Sequence, residues 1–99
     1  MEKWIGKIAV VTGASSGIGA SIFSDLARHG LTVIGIARDV TKIDELVMAS
    51  ATENPNLHSY RCDISDMESV RRAFLWLEER FGVIHILINN AGVGKYFIN

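Results

Sequence analysis

The sequence predicts an α/β fold, a doubly wound parallel sheet whose four strands take the spatial order 3-2-1-4. Three observations predict it. Short runs at Ile8-Ala9-Val10-Val11, Leu31 to Ala37 and Ile84 to Ile88 are nearly continuous in apolar residues instead of alternating, which is how strands covered on both faces read. The segments between the strands carry helical spacing. A turn with three glycines, Gly13, Gly17 and Gly19, follows the first run.

The elements follow in order. Ile8 to Val11 forms the first strand, preceded by Trp4, which is placed to cover the lower end of the sheet. Ile18, Ile22 and Leu26 mark an amphipathic helix closed at His29-Gly30. Leu31 to Ala37 is the second strand. Thr41-Lys42-Ile43-Asp44 has a capping-box pattern that opens a second helix, and Asn54-Pro55-Asn56 stops it. Leu57 to Arg61 is weakly apolar, and its place in the sheet rests on the alternation of elements. Ser65-Asp66-Met67-Glu68 caps a third helix, with Val70, Phe74, Leu77 and Phe81 on its inner face and Gly82 at its end. Ile84 to Ile88 is the fourth strand. As a last strand it would leave a long apolar edge, which natural sheets avoid, so residues 1–99 are expected to be the first half of a larger sheet.

Composition narrows the function. Hydrophobic residues make up 48% of the 99, enough for one compact core. Ten basic and eleven acidic side chains leave a net charge of -1, without the basic face that nucleic acid requires. No apolar run approaches the ~20 residues of a membrane span, and no signal-peptide core precedes the first strand. One cysteine fits a reducing compartment, so the expectation is a cytoplasmic domain. Cys62 reads as a small buried hydrophobe, and His29, His58 and His85 lack metal-ligand spacing. Trp76 and Phe74 fall in a helical stripe and read as packing residues.

The polar residues gather where the strands end. Gly13 sits at the sharp turn out of strand one. Gly17 opens the helix, where an anion meets free backbone N–H groups and the positive end of the dipole. Gly19 allows close packing of helix on strand, and Ser15 and Ser16 add hydroxyl donors. Arg38 follows strand two, Asp63 follows strand three, and Asn89-Asn90-Ala91-Gly92 follows strand four. In a parallel sheet these ends share one edge, where ligands bind. A diphosphate satisfies the glycine pattern, and a turn selected only for helix–strand packing is the alternative. No Lys follows the last glycine, which excludes the P-loop.

"TGASSGIG" (Thr12 to Gly19), "CDIS" (Cys62 to Ser65) and "NNAG" (Asn89 to Gly92) resemble the short-chain dehydrogenase/reductase family over nearly the whole chain, from Gly6 to Gly94. The opening "WIGKIAVVTGASSGIGA", with "GIARD" after it, resembles the branch of NADP-dependent enzymes similar to farnesol dehydrogenase. The resemblance implies a Rossmann-like sheet in which Gly13, Ser15, Ser16 and Ile18 line the diphosphate. Asp63 and Ile64 would touch the adenine, and Asn90, Ala91 and Gly92 would support the cofactor ribose and tie strand four to the sheet centre.

Cofactor choice turns on residues 35 to 39. Ala37 stands where NAD-using relatives carry Asp, and Arg38 follows it, which points to NADP because an Arg accommodates a 2′-phosphate. Two alternatives stay open: Arg38 pairs with Asp39 at the surface, or Asp39 takes the ribose and favours NAD.

The family's catalytic Tyr-x-x-x-Lys does not occur: Tyr60 is followed by Ile64 at the fourth position, and the partner of Tyr96 would lie past Asn99. No catalytic residue and no metal ligand is therefore assigned. The expected function is the NADP-binding portion of an oxidoreductase moving hydride between NADP(H) and a small alcohol or carbonyl, homo-oligomeric when complete. The alternatives are a non-catalytic NADP-binding regulatory module and a fragment without independent function.

Overall fold

The computed structural model describes residues 2–90. A short 3₁₀ turn at Glu2–Trp4 leads into β1 (Ile8–Thr12), α1 (Gly17–Arg28), β2 (Thr32–Ala37), α2 (Thr41–Ala49), β3 (Leu57–Arg61), α3 (Met67–Phe81) and β4 (Ile86–Asn89). The four strands form one parallel sheet in the order β3-β2-β1-β4, as the sequence predicts. The weakly apolar β3 joins it over the predicted span.

The sheet separates two cores. Ala9, Val11, Val33, Ala37 and Leu57 meet Phe23 and Ala27 of α1 and Ile43 of α2 on one face. Val10, Ile34 and Ile36 meet Ala73 and Leu77 of α3 on the other, together with Cys62. Covering on both faces explains why β1 and β2 need apolar residues at successive positions. Trp4 packs against the α1–α2 core. The described helices include none long and apolar enough to cross a membrane.

Four local expectations are corrected. The buried stripe of α1 is Gly19, Phe23 and Ala27, one position on from Ile18, Ile22 and Leu26. Ile22 and Leu26 flank the core, but Ile18 is 71% exposed. Apolar spacing gave the period, while the tight approach at Gly19 sets the rotation. Helix α2 is not capped by Thr41: its N-cap residue is Val40, which makes no side-chain capping bond, and Asp39 just before it accepts from the Thr41 N–H at 3.0 Å. Helix α3 likewise starts at Met67, with Asp66 accepting from the Glu68 N–H at 3.0 Å, because Ser65 is engaged in the preceding turn. In α3, Trp76 packs as expected, its ring centroid 4.5 Å from that of Tyr60, whereas Phe74 points outward at 37% exposure.

Candidate functional site

Parallel pairing brings the C-terminal ends of all four strands to one edge. Thr12 of β1 is in register with Ile36 of β2 and Asn89 of β4, and Ala37 is in register with Arg61 of β3. The segments after these ends carry Gly13 to Gly19, Arg38 and Asp39, Asp63 to Ser65, and Asn90. Ala91 and Gly92 lie outside the described residues.

The β1–α1 turn is built around one carbonyl. Gly13 has φ +63°, a conformation that glycine adopts without a Cβ penalty, and its N–H donates to Ile36 O at 2.8 Å. Its own carbonyl accepts from Ser16 N–H (3.1 Å), Ser16 Oγ (2.9 Å) and Asn90 Nδ2 (3.3 Å). Ser16 is the N-cap of α1, and its Oγ also accepts from Gly19 N–H (3.4 Å) and Asn90 Nδ2 (3.0 Å). Thr12 Oγ1 accepts from Asn90 N–H (2.9 Å) and donates to Asn89 Oδ1 (3.0 Å). The end of β4 is thus bonded to the glycine turn by both backbone and side chain.

The two helical glycines do different things. A Cβ added at Gly19 would lie 2.1 Å from Gly13 O and 2.7 Å from Asn90 Nδ2, so only glycine leaves room for the Asn90 clamp. A Cβ at Gly17 would meet nothing within 4 Å. Gly17 and Ile18 are exposed at the positive end of α1, whose first turn has no acidic residue, in contrast to Asp44 in α2 and Glu68 in α3. Their N–H groups have no intrahelical acceptor. This arrangement suits a diphosphate, with Ser15 beside it in the turn.

At the other half of the edge, both carboxylates are committed locally. Asp63 Oδ1 accepts from Ser65 Oγ (2.7 Å) and Ser65 N–H (3.0 Å). Those bonds hold the carboxyl below its ordinary range, and the positive charge of Arg38 adds to the lowering. Asp39 is held low by its hydrogen bonds to Thr41, with Arg61 adding to it. Arg38 and Arg61 are both exposed, and neither belongs to the described ion pairs, Arg28–Asp25 and Arg71–Glu68. Pairing of Arg38 with Asp39, an open alternative in the sequence, is not found among the described residues. Ile64 is partly exposed beside Asp63.

Two participants, Thr12 and Ser69, escaped the sequence reading, which did name Asn90 as tying strand four to the sheet centre. Thr12 and the Asn90 side chain act as clamps, and Ser69 Oγ accepts from the Asp63 N–H at 3.1 Å. A hydroxyl ending an otherwise apolar strand is the one sequence signal for Thr12. Two concavities, one along α3 at Arg71, Phe74 and Leu75 and one between α1 and α2 at Ser24 and Leu46, lie away from this edge. Among the described residues no group of three His, Cys, Asp or Glu side chains could hold a metal.

Comparison with known proteins agrees with this geometry. The family model described as short chain dehydrogenase matches residues 7–98. Farnesol dehydrogenase of Aedes aegypti is 48% identical over 95 residues, covering 94% of this chain and 38% of that protein. Human dehydrogenase/reductase SDR family member 11 is 41% identical over 97 residues, covering 96% of this chain and 37% of that protein. The chain therefore spans well under half the length of these curated relatives. Among solved structures, a metagenomic short-chain oxidoreductase in complex with NADP superposes with a TM-score of 0.84 at 37% identity, over 91% of this chain and 41% of that one. L-sorbose reductase from Gluconobacter frateurii, complexed with NADPH and L-sorbose, gives 0.83 at 31% identity, over 99% of this chain and 38% of that one. With a family model matched along nearly its whole length and the glycine turn, strand order and Asn90 clamp in place, the chain belongs to the short-chain dehydrogenase/reductase family.

Proposed function

We propose that this edge of the sheet binds NADP(H), and that the intact protein is an oxidoreductase transferring hydride between that cofactor and a small alcohol or carbonyl substrate. The observation that carries the reading is the clamped turn: Gly13, Ser16, Gly19 and Asn90 are mutually fixed, while the space over Gly17 is open. A rigid turn with exposed N–H groups at a helix start suits a diphosphate, and binding costs less when the donors are already in place.

The residues divide the cofactor between them. Backbone N–H groups at Gly17 and Ile18 and the hydroxyls of Ser15 and Ser16 hold the diphosphate. Gly13 and Gly19 keep the backbone close, and Asn90 fixes the turn. Asp63 and Ile64 border the adenine; Asp63, bound to Ser65, shapes its loop more than it offers a free acceptor. Ala91 and Gly92 are assigned to the ribose side. When bound, the nicotinamide supplies or accepts the hydride, which the protein itself cannot do. No described residue is assigned to move the substrate proton.

The choice of NADP over NAD rests on Arg38 and Asp39. An acid that selects NAD must be free to accept from the ribose 2′-OH. Asp39 instead has one carboxylate oxygen accepting from the Thr41 N–H at the start of α2, and Arg38 beside it is an exposed cation outside the described ion pairs. The NADP and NADPH complexes of the solved relatives support the same reading. The test is Arg38→Ala in the intact protein, titrated with both reduced cofactors. A hydrogen bond to a charged group contributes about 1.5–3 kcal/mol, so NADPH affinity should fall roughly 10- to 100-fold while NADH is unmoved. Equal weakening of both would reject the NADP assignment.

A further inference from the structure

We infer that Arg61, the last residue of β3, is a second specificity-determining residue for NADP(H), sharing the cofactor's 2′-phosphate with Arg38. The inference rests on the NADP reading above and adds to it a residue on a different strand.

The register carries the argument. Arg61 pairs with Ala37, the residue immediately before Arg38, and the Cys62 N–H donates to Ala37 O at 2.9 Å. Neighbouring strands lie about 4.8 Å apart, so the two arginines leave the sheet from adjacent backbone positions. Strand alternation then gives the face. Tyr60 packs toward α3 against Trp76, whereas Ser59 bonds Asp44 of α2 (2.5 Å). Arg61 shares the face of Ser59, toward the start of α2, where Asp39 lies.

The charges explain why these cations are available. Two arginines and two acids at one edge would ordinarily cancel as ion pairs. Here one carboxylate oxygen of Asp39 accepts from the Thr41 N–H and one of Asp63 from Ser65, each within its own turn, and neither acid belongs to the described ion pairs. Both arginines remain exposed and outside the described ion pairs. Two guanidinium groups carried at neighbouring positions of adjacent strands can both donate to a phosphate dianion bound between them, and give nothing extra to a neutral hydroxyl. Arg61 also offsets the charge of Asp39, which would otherwise repel that phosphate.

The experiment is a titration of the intact protein with NADPH and with NADH, for wild type, Arg38→Ala, Arg61→Ala and Arg61→Lys. Arg61→Ala should weaken NADPH roughly tenfold, the loss of one charge-assisted contact, and leave NADH unchanged. Arg61→Lys should recover most of the loss, since Lys keeps the charge without the fork. A wild-type preference for NADPH that survives Arg61→Ala overturns the inference and spares the NADP reading. Equal weakening of both cofactors by Arg61→Ala also overturns it, showing a structural role through α2. A wild type that binds both cofactors equally overturns the NADP reading and this inference together.

Discussion

Single atoms decide what each glycine of the turn tolerates. At Gly19 an added methyl would sit 2.1 Å from a backbone carbonyl, which cannot move without breaking three hydrogen bonds. Gly19→Ala should therefore lower both melting temperature and cofactor affinity. At Gly17 the space is empty and the backbone is not left-handed, so a side chain is sterically free. Gly17→Val should melt close to wild type yet lose NADPH binding, because the branched side chain fills the volume over the helix start. Calorimetry and a NADPH titration on the two variants separate the roles; normal NADPH affinity in Gly17→Val would remove the diphosphate assignment. The glycine spacing shows that a turn is there. It cannot say which glycine faces the ligand and which faces Asn90, because that contact joins residues 71 positions apart in sequence.

Elements are joined by polar groups that the hydrophobic pattern does not display. Asn54 is buried, and its Nδ2 donates to Ala27 O (3.0 Å) and Leu31 O (2.8 Å) while its Oδ1 accepts from Asn56 N–H (2.9 Å). One side chain thus ties the end of α1 and the start of β2 to the entry of β3. The sequence shows Asn54-Pro55-Asn56 only as a helix stop, since its partners lie 23 and 27 residues away. Asn54→Ala should cost about 1–3 kcal/mol by leaving carbonyls unsatisfied, measured by denaturant unfolding. At the other end of β3, His58 lies against Phe81 with ring centroids 5.3 Å apart. Burial lowers its pKa below 6.5, and the charge of Arg80 lowers it further. The neutral ring is the form the fold favours. Its contribution is complete above pH 6.5 and is lost as pH falls from there through the lowered folded value. Stability measured across that window should decline in wild type and decline less in His58→Phe.

Across the whole molecule, the sheet keeps two cores apart and gives only one of them the glycine turn. The strand order, both helical faces of the sheet and the common edge are legible in the sequence because they follow from apolar periodicity and right-handed connection. The rotation of α1 is not legible, because the close approach at Gly19 outweighs the pull of Ile18 toward the core. That rotation places Phe23 beneath the site: a Cβ at Gly35 would lie 3.1 Å from Phe23 Cε2 and 3.1 Å from Ala14 Cβ, so α1, β2 and the turn are packed in contact. Leu77 is as deeply buried, but on the α3 face. Phe23→Ala and Leu77→Ala should each cost several kcal/mol, about 3–5 and 2–5, through the cavities they leave. Their effects on the site should differ. Relaxation around Phe23 tilts α1 and displaces the helix start relative to Gly13 and Asn90, so NADPH affinity should fall even at temperatures where the variant is fully folded. Leu77→Ala has no such path, because α3 meets the edge through its first turn, where Ser69 accepts from the Asp63 N–H, and Leu77 lies about two turns further along at about 3.6 residues per turn. Matched denaturation curves and NADPH titrations on the two variants test this. Equal loss of affinity in both would mean that the sheet transmits strain between its faces, and that the site depends on the stability of the whole fold more than on the seating of α1.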